Sequence, residues 1–286
     1  MNVLVTGANG QLGLEISNLR NQFSQYQFFL TDVAELNITN FKAIENYVVE
    51  HKINVLINCA AFTNVDGAED ATEIADEINN IAVRNLGKIA KKHHLKLVHI
   101  STDYVFDGIS ENSYTETDDT NPQNVYGITK LKGEQALRDL QLENSIIIRT
   151  SWLYSAFGTN FVKTILKLSG EKEEIKVVND QVGSPTYAKD LAIAILQIVP
   201  KIKSNVIETF HYSNNGSCSW FGFAQAIVEL SKHNCKVHPV SSSQFKTKAK
   251  RPNYSLLNTS KIQQKFAVEI PNWKDSLKEC MNSVQV

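Results

Sequence analysis

Five short apolar runs recur along the first 150 residues of the chain: Val3–Val5, Phe28–Leu30, Val55–Ile57, Leu97–Ile100 and Ile146–Ile148. Segments of helical periodicity fill the intervals, with candidate helices over Phe41–His51, Glu77–His93 and Tyr126–Leu140. Continuous apolar strands separated by helices imply right-handed crossovers and a parallel sheet buried on both faces. The expected fold class is therefore α/β, a doubly wound parallel sheet. After Arg149 the rhythm changes. TSWLYSAFGTNF is a loop of aromatic and small polar residues, followed by a helical run from Val162 to Leu168. A strand over Ile175–Val178 and a helix over Ala188–Val199 are expected to return to the main sheet, while the chain from Lys201 mixes short strands with one helix near Trp220–Lys232.

The chain of 286 residues has room for one large α/β unit with a smaller cap. Residues 1–150, with return segments at about 172–200, form the expected main domain; 151–171 and 201–286 form a smaller, discontinuous one. A formal net charge of −1 argues against a nucleic-acid partner, whose phosphates demand a basic face. No apolar run has the length of a membrane span and the N-terminus carries no signal-peptide pattern, so a cytoplasmic location is expected. Cys59, Cys218, Cys235 and Cys280 are scattered without ligand spacing and read as reduced, structural thiols.

Between the first strand and the first helix stands TGANGQLG, from Thr6 to Gly13. In that context Gly7 makes the sharp turn, Gly10 admits a pyrophosphate close to the backbone, and Gly13 lets the helix pack tightly, as in a dinucleotide-binding Rossmann unit. The helix N-terminus offers free N–H groups to phosphate. The spacing G-x-x-G-x-x-G departs from the commoner G-x-G-x-x-G, and a turn without a ligand is an equal reading of the glycines alone. The second strand ends in Asp32, near the offset at which an acid meets the adenosine ribose. A carboxylate there accepts from a free 2′-hydroxyl and repels a 2′-phosphate, which favours NADH over NADPH.

The fourth strand ends in HISTDYVFDG, and NVYGITKLKGE follows. Tyr126 and Lys130 are four apart, on one face of a helix. A phenol with a pKa of ~10 is a sluggish proton donor at neutral pH unless a cation stabilises its phenolate. Lys130 is placed to supply that charge, and Thr102 at the strand end adds a hydroxyl beside the same carbonyl oxygen.

These segments, with NCAAFTNVDGAE, RTSWLY, NDQVGSPTYAKDLA and RPNYSLLNTSK, resemble the extended short-chain dehydrogenase/reductases, and within them the dTDP-4-dehydrorhamnose reductases. The resemblance spans nearly the whole chain. It implies an NADPH- or NADH-dependent reduction of the C4 ketone of dTDP-4-dehydro-L-rhamnose, in dTDP-rhamnose biosynthesis, by a monomer or homodimer. It assigns the cofactor phosphates to Asn9, Gly10, Gln11 and Leu12, and the edge of the cofactor to Ala60, Ala61 and Phe62. Asn37 and Ile38 fall beside the adenine, with Asn37 where the family commonly has Asp. Thr102, Tyr126 and Lys130 match the catalytic positions, while Asp103, Trp152 and Arg251 match substrate contacts. Some relatives bind magnesium through clustered acids; here Glu15 is present but Lys189 stands where another acid would help, so no metal is expected.

Plainer readings exist for several of these residues. Trp152 and Phe62 suit a core, Asp103 a turn cap, and Arg251 a surface ion pair. Two other functions also fit: an epimerase or dehydratase of the same superfamily, with Asp103 as an extra acid, and a cofactor-binding regulatory subunit without activity of its own.

Overall fold

A computed structural model describes residues 1–284. The elements are β1 (Asn2–Thr6), α1 (Gln11–Leu19), β2 (Gln27–Thr31), α2 (Phe41–Glu50), β3 (Val55–Asn58), α3 (Val65–Ala68), α4 (Thr72–Asp76), α5 (Ala82–Lys92), β4 (Lys96–Thr102), α6 (Val125–Asp139) and β5 (Ile146–Thr150). Then come β6 (Leu153–Tyr154), α7 (Phe161–Glu171), β7 (Glu174–Val178), β8 (Val182–Gly183), β9 (Thr186–Tyr187), α8 (Ala188–Ile198), β10 (Glu208–His211), β11 (Cys218–Ser219), α9 (Trp220–Ser231), β12 (Lys236–Val240), α10 (Ser260–Phe266) and α11 (Trp273–Ser283).

The main sheet runs β2-β1-β3-β4-β5-β10, and every neighbouring pair is parallel. Side chains alternate across it. Val3, Val5, Ile57, Val98 and Ile148 face α1 and α8, whereas Leu4, Leu56, Leu97 and Ile147 face α2, α5 and α6. Both faces are thus sealed, which is why these strands read as continuous apolar runs. The order reverses between β1 and β3, and a ligand crevice opens beyond the C-terminal strand ends at such a switch point.

Beyond β5 the arrangement differs from the expectation in two respects. β7 does not return to the main sheet but pairs in parallel with β12. Instead α8 covers the α1 face, and β10 joins the main sheet beside β5. A separate aromatic core of Tyr154, Tyr187, Phe223 and Trp273 holds α7, α9 and α11 together.

Candidate active site

A cavity of about 760 Å³ opens at the switch point. Its lining includes Gly7, Asn9, Gly10, Gln11, Leu12, Gly13, Asp32, Asn37, Ile38, Ala60 and Ala61 at one end. Thr102, Asp103, Tyr126, Lys130 and Trp152 line the other.

The Gly-rich turn is built for close approach. Gly7 has φ +69°, and a Cβ there would stand 2.6 Å from the Ala60 nitrogen. A Cβ on Gly13 would strike the Gly7 carbonyl oxygen, so this glycine packs α1 against the turn itself. No side chain caps α1 at Gly10, which leaves its first N–H groups free to face the cavity. Asp32 Oδ2 accepts the Asn9 N–H at 2.8 Å and Oδ1 the Val33 N–H at 2.7 Å, pinning the turn to the end of β2. A pyrophosphate at the turn and a ribose at Asp32 fit this end.

The chemical end is held by α6. Asn124 caps the helix by accepting from Gly127 N–H at 2.8 Å, and its amide donates to the Lys250 carbonyl at 2.8 Å. Glu69 accepts the Val125 N–H at 2.9 Å. Gly127 lacks a side chain because a Cβ would collide with the Tyr104 carbonyl oxygen. Three segments thereby fix the first turn of α6, and Tyr126 with it. One turn later Lys130, only 2% exposed, donates to the Ile100 carbonyl at 2.7 Å. At the end of β4, Thr102 Oγ1 accepts the Tyr104 N–H at 3.2 Å and donates to Asp103 Oδ1 at 3.0 Å.

The electrostatics correct one sequence expectation. Burial pushes the Tyr126 phenol above its ordinary range, opposed in part by the nearby Thr102 hydroxyl; Lys130 does not bring it down. Burial instead lowers Lys130 itself to about 8, against the attraction of Glu134. Tyr126 is therefore a firmly protonated phenol, the form a proton donor requires. Burial also raises Asp103 to about 7 and the Cys59 thiol to about 12, so Cys59, though it lines the cavity, is unreactive.

Trp152 adopts φ +47° and stacks on Trp220, with ring centroids 3.5 Å apart and planes 7° from parallel. Phe62 is not among the lining residues. Its backbone is gripped by Asn79, whose Oδ1 accepts the Phe62 N–H at 2.9 Å and whose amide donates to the Phe62 carbonyl at 3.1 Å and to Thr129 at 3.2 Å. Arg251 also lies off the cavity: it donates to Asp66 at 2.9 Å and to the Tyr104 hydroxyl at 3.1 Å.

Asn79 was not foreseen from the sequence. It is completely buried in a π-helical turn, Glu77–Ile81, and ties the loop after β3 to α6. Asn160 is another such residue. It caps α7 and donates to Gln11 at 3.0 Å, joining the loop after β6 to the Gly-rich turn. Glu15 accepts from Ser155 at 2.6 Å and Lys189 pairs with Glu279; among the described residues no three His, Cys, Asp or Glu side chains gather as a metal site.

A family model described as the RmlD substrate binding domain matches residues 1–286. The dTDP-4-dehydrorhamnose reductase of Aggregatibacter actinomycetemcomitans is 38% identical, over 96% of this chain and 97% of that protein. A Clostridium acetobutylicum dTDP-4-dehydrorhamnose reductase structure superposes with TM-score 0.94 at 42% identity over the full length of both chains. The Bacillus anthracis str. Ames reductase, solved in complex with NADP, superposes at 0.93 with 40% identity over 98% of each chain. A dTDP-glucose 4,6-dehydratase from the same organism, 19% identical, shares the fold. Matched along its whole length by the family model and by reductases of the same size, the protein belongs to the RmlD family, that of the dTDP-4-dehydrorhamnose reductases.

Proposed function

We propose that the protein reduces the C4 ketone of dTDP-4-dehydro-L-rhamnose to dTDP-L-rhamnose with NADPH or NADH. The observation that carries the reading is the convergence of Thr102, Tyr126 and Lys130 at one end of a cavity whose other end is a Gly-rich turn leading into an uncapped helix N-terminus. When bound, the nicotinamide supplies the hydride. Tyr126 donates its phenol proton to the oxygen as it becomes an alkoxide, a far stronger base than the phenolate left behind. Thr102 hydrogen-bonds the same oxygen, and Lys130, anchored by the Ile100 carbonyl, holds the nicotinamide ribose. Asp103 and Trp152 face the sugar from the same end, and the names of the relatives support a nucleotide-sugar substrate. Arg251 is paired with Asp66 and donates to the hydroxyl of Tyr104, which lines the cavity.

Purified protein given this sugar nucleotide should oxidise the nicotinamide and yield one mole of dTDP-L-rhamnose per mole of cofactor consumed. An epimerase or dehydratase would turn over its substrate with no net cofactor oxidation, and a regulatory subunit would bind the cofactor and do neither.

Two predictions concern recognition. Lys130 is the one cation among the described residues lining the cavity, so nothing at the Asp32 end balances a 2′-phosphate. NADH should bind at least as well as NADPH, and Asp32→Ala should shift preference toward NADPH by removing like-charge repulsion. A strong wild-type preference for NADPH that survives the substitution would show that Asp32 does not read the ribose. Trp152 presents an apolar face suited to the methyl group and C–H faces of a deoxysugar. Burying it is worth roughly 1.5–3 kcal/mol, so Trp152→Ala should weaken sugar-nucleotide affinity by about one to two orders of magnitude. Isothermal titration should show the cofactor Kd nearly unmoved. Unchanged sugar binding with a lowered Tm would make the Trp152–Trp220 stack a purely structural pair.

A further inference from the structure

Thr102, Tyr126 and Lys130 each have a task in the proposed reduction, but Asp103 so far has only a place against the substrate. Its side chain is 3% exposed. Oδ1 accepts the Thr102 hydroxyl at 3.0 Å, while Oδ2 is buried and meets no donor in hydrogen-bonding geometry, although the Ser255 hydroxyl is close enough to moderate its charge. An ionised carboxylate with an unfilled, buried oxygen is costly, and binding a proton relieves that cost. The charged and titratable groups around it are Tyr104 on its own turn, Tyr126 and Lys130 on α6, and Arg251, which joins Tyr104 to Asp66 on α3.

The Thr102 hydroxyl has one proton and two acceptor sites. The Tyr104 N–H fills one acceptor site. With Asp103 ionised, the single Thr102 proton points at the carboxylate, away from the reacting oxygen. With Asp103 protonated, its own O–H fills the second acceptor site of Thr102, and the Thr102 proton turns toward Tyr126. We propose that Asp103 is a proton-controlled positioning residue that aims the Thr102 hydroxyl and, through it, restores the proton Tyr126 gives up in each reduction.

The step balances. The Tyr126 O–H bond breaks as the sugar O–H bond forms. The Thr102 proton then moves to the phenolate while the Asp103 proton moves to Thr102, leaving phenol, hydroxyl and carboxylate. Asp103 regains a proton from water, so one solvent proton enters for each hydride delivered.

The inference rests on the reductase reading, and the pH dependence of kcat/KM tests it. In the wild type, activity should fall as Asp103 ionises near 7 and fall again as Lys130 loses its proton near 8. Above both, two ionisations give a decline of about a hundredfold per pH unit. In Asp103→Asn the amide donates to Thr102 as the protonated acid does, so the break near 7 disappears and the decline eases to about tenfold per pH unit. Thr102→Val, slower overall, should lose the same break because it lacks the hydroxyl through which Asp103 acts. Carbon-13 NMR should show a carboxyl that titrates near 7 and is missing from Asp103→Asn. Retention of both breaks in either variant, or an Asp103 carboxyl that stays ionised near neutral pH, overturns the proposal. An inactive wild type removes the reductase reading and this inference together; an active wild type whose break survives Asp103→Asn removes this inference alone.

Discussion

Tyr126→Phe abolishes turnover while leaving the cofactor Kd nearly unchanged. Burial keeps the phenol protonated, and the first turn of α6 is fixed by Asn124 and Glu69 rather than by the hydroxyl, so the variant keeps its backbone and loses only the proton donor. Removing a positioned general acid costs about 10²–10⁴ in rate. Single-turnover kinetics on the purified variant check this, with fluorescence titration for the cofactor. Wild-type-like activity would end the assignment of Tyr126 as the donor.

Glu134→Ala destabilises the fold more than any surface substitution would. The Glu134 carboxylate is completely buried and accepts from Arg149 Nε at 2.9 Å and Nη2 at 2.7 Å, with Arg138 adding a bond at 2.8 Å. Arg149 is itself only 1% exposed and lies 5.0 Å from the centre of the Phe106 ring. Removing one partner leaves a buried cation alone, a loss of about 3–5 kcal/mol out of a typical total of about 5–15. Burial alone would raise the Glu134 pKa, but Arg149 and Arg138 outweigh it and hold the carboxyl low. The pair therefore contributes fully above the unfolded carboxylate pKa and is lost as pH falls through the lower folded value. Denaturant unfolding should show the loss in Glu134→Ala, with most of it recovered in the double variant Glu134→Leu, Arg149→Met. A single variant within 1 kcal/mol of wild type, on the order of an exposed pair, would show that the interior tolerates the stranded charge.

What was legible in the sequence was local. The strand, Gly-rich turn and helix from Asn2 to Leu19 follow from apolar runs and glycine spacing, and Tyr126 and Lys130 share a helix face because four residues make about one turn. The Asn79 clamp was hidden: it pairs residues 17 apart through a π-helical turn that no periodicity announces. The bond from Asn160 to Gln11 spans 149 positions. β7 and β10 are short strands of five and four residues, and either could have joined the main sheet on pattern alone; docking against β5 and β12 decided between them. Lys130 does not set the Tyr126 pKa as the i, i+4 spacing predicts, because spacing carries no measure of desolvation, which here dominates both groups. The contacts of Phe62 with Asn79 and of Arg251 with Asp66 turn on tertiary geometry that no local pattern carries.

The central claim is that a hydride lands on C4 of a deoxysugar while Tyr126 protonates its oxygen. The most direct measurement follows deuterium carried at both hydrogen positions of the reactive carbon of the reduced nicotinamide. With dTDP-4-dehydro-L-rhamnose as substrate, proton and deuterium NMR should find one deuterium at C4 of dTDP-L-rhamnose and none elsewhere on the sugar. Product lacking the label, or label that remains wholly on the cofactor while the sugar changes, would contradict the account.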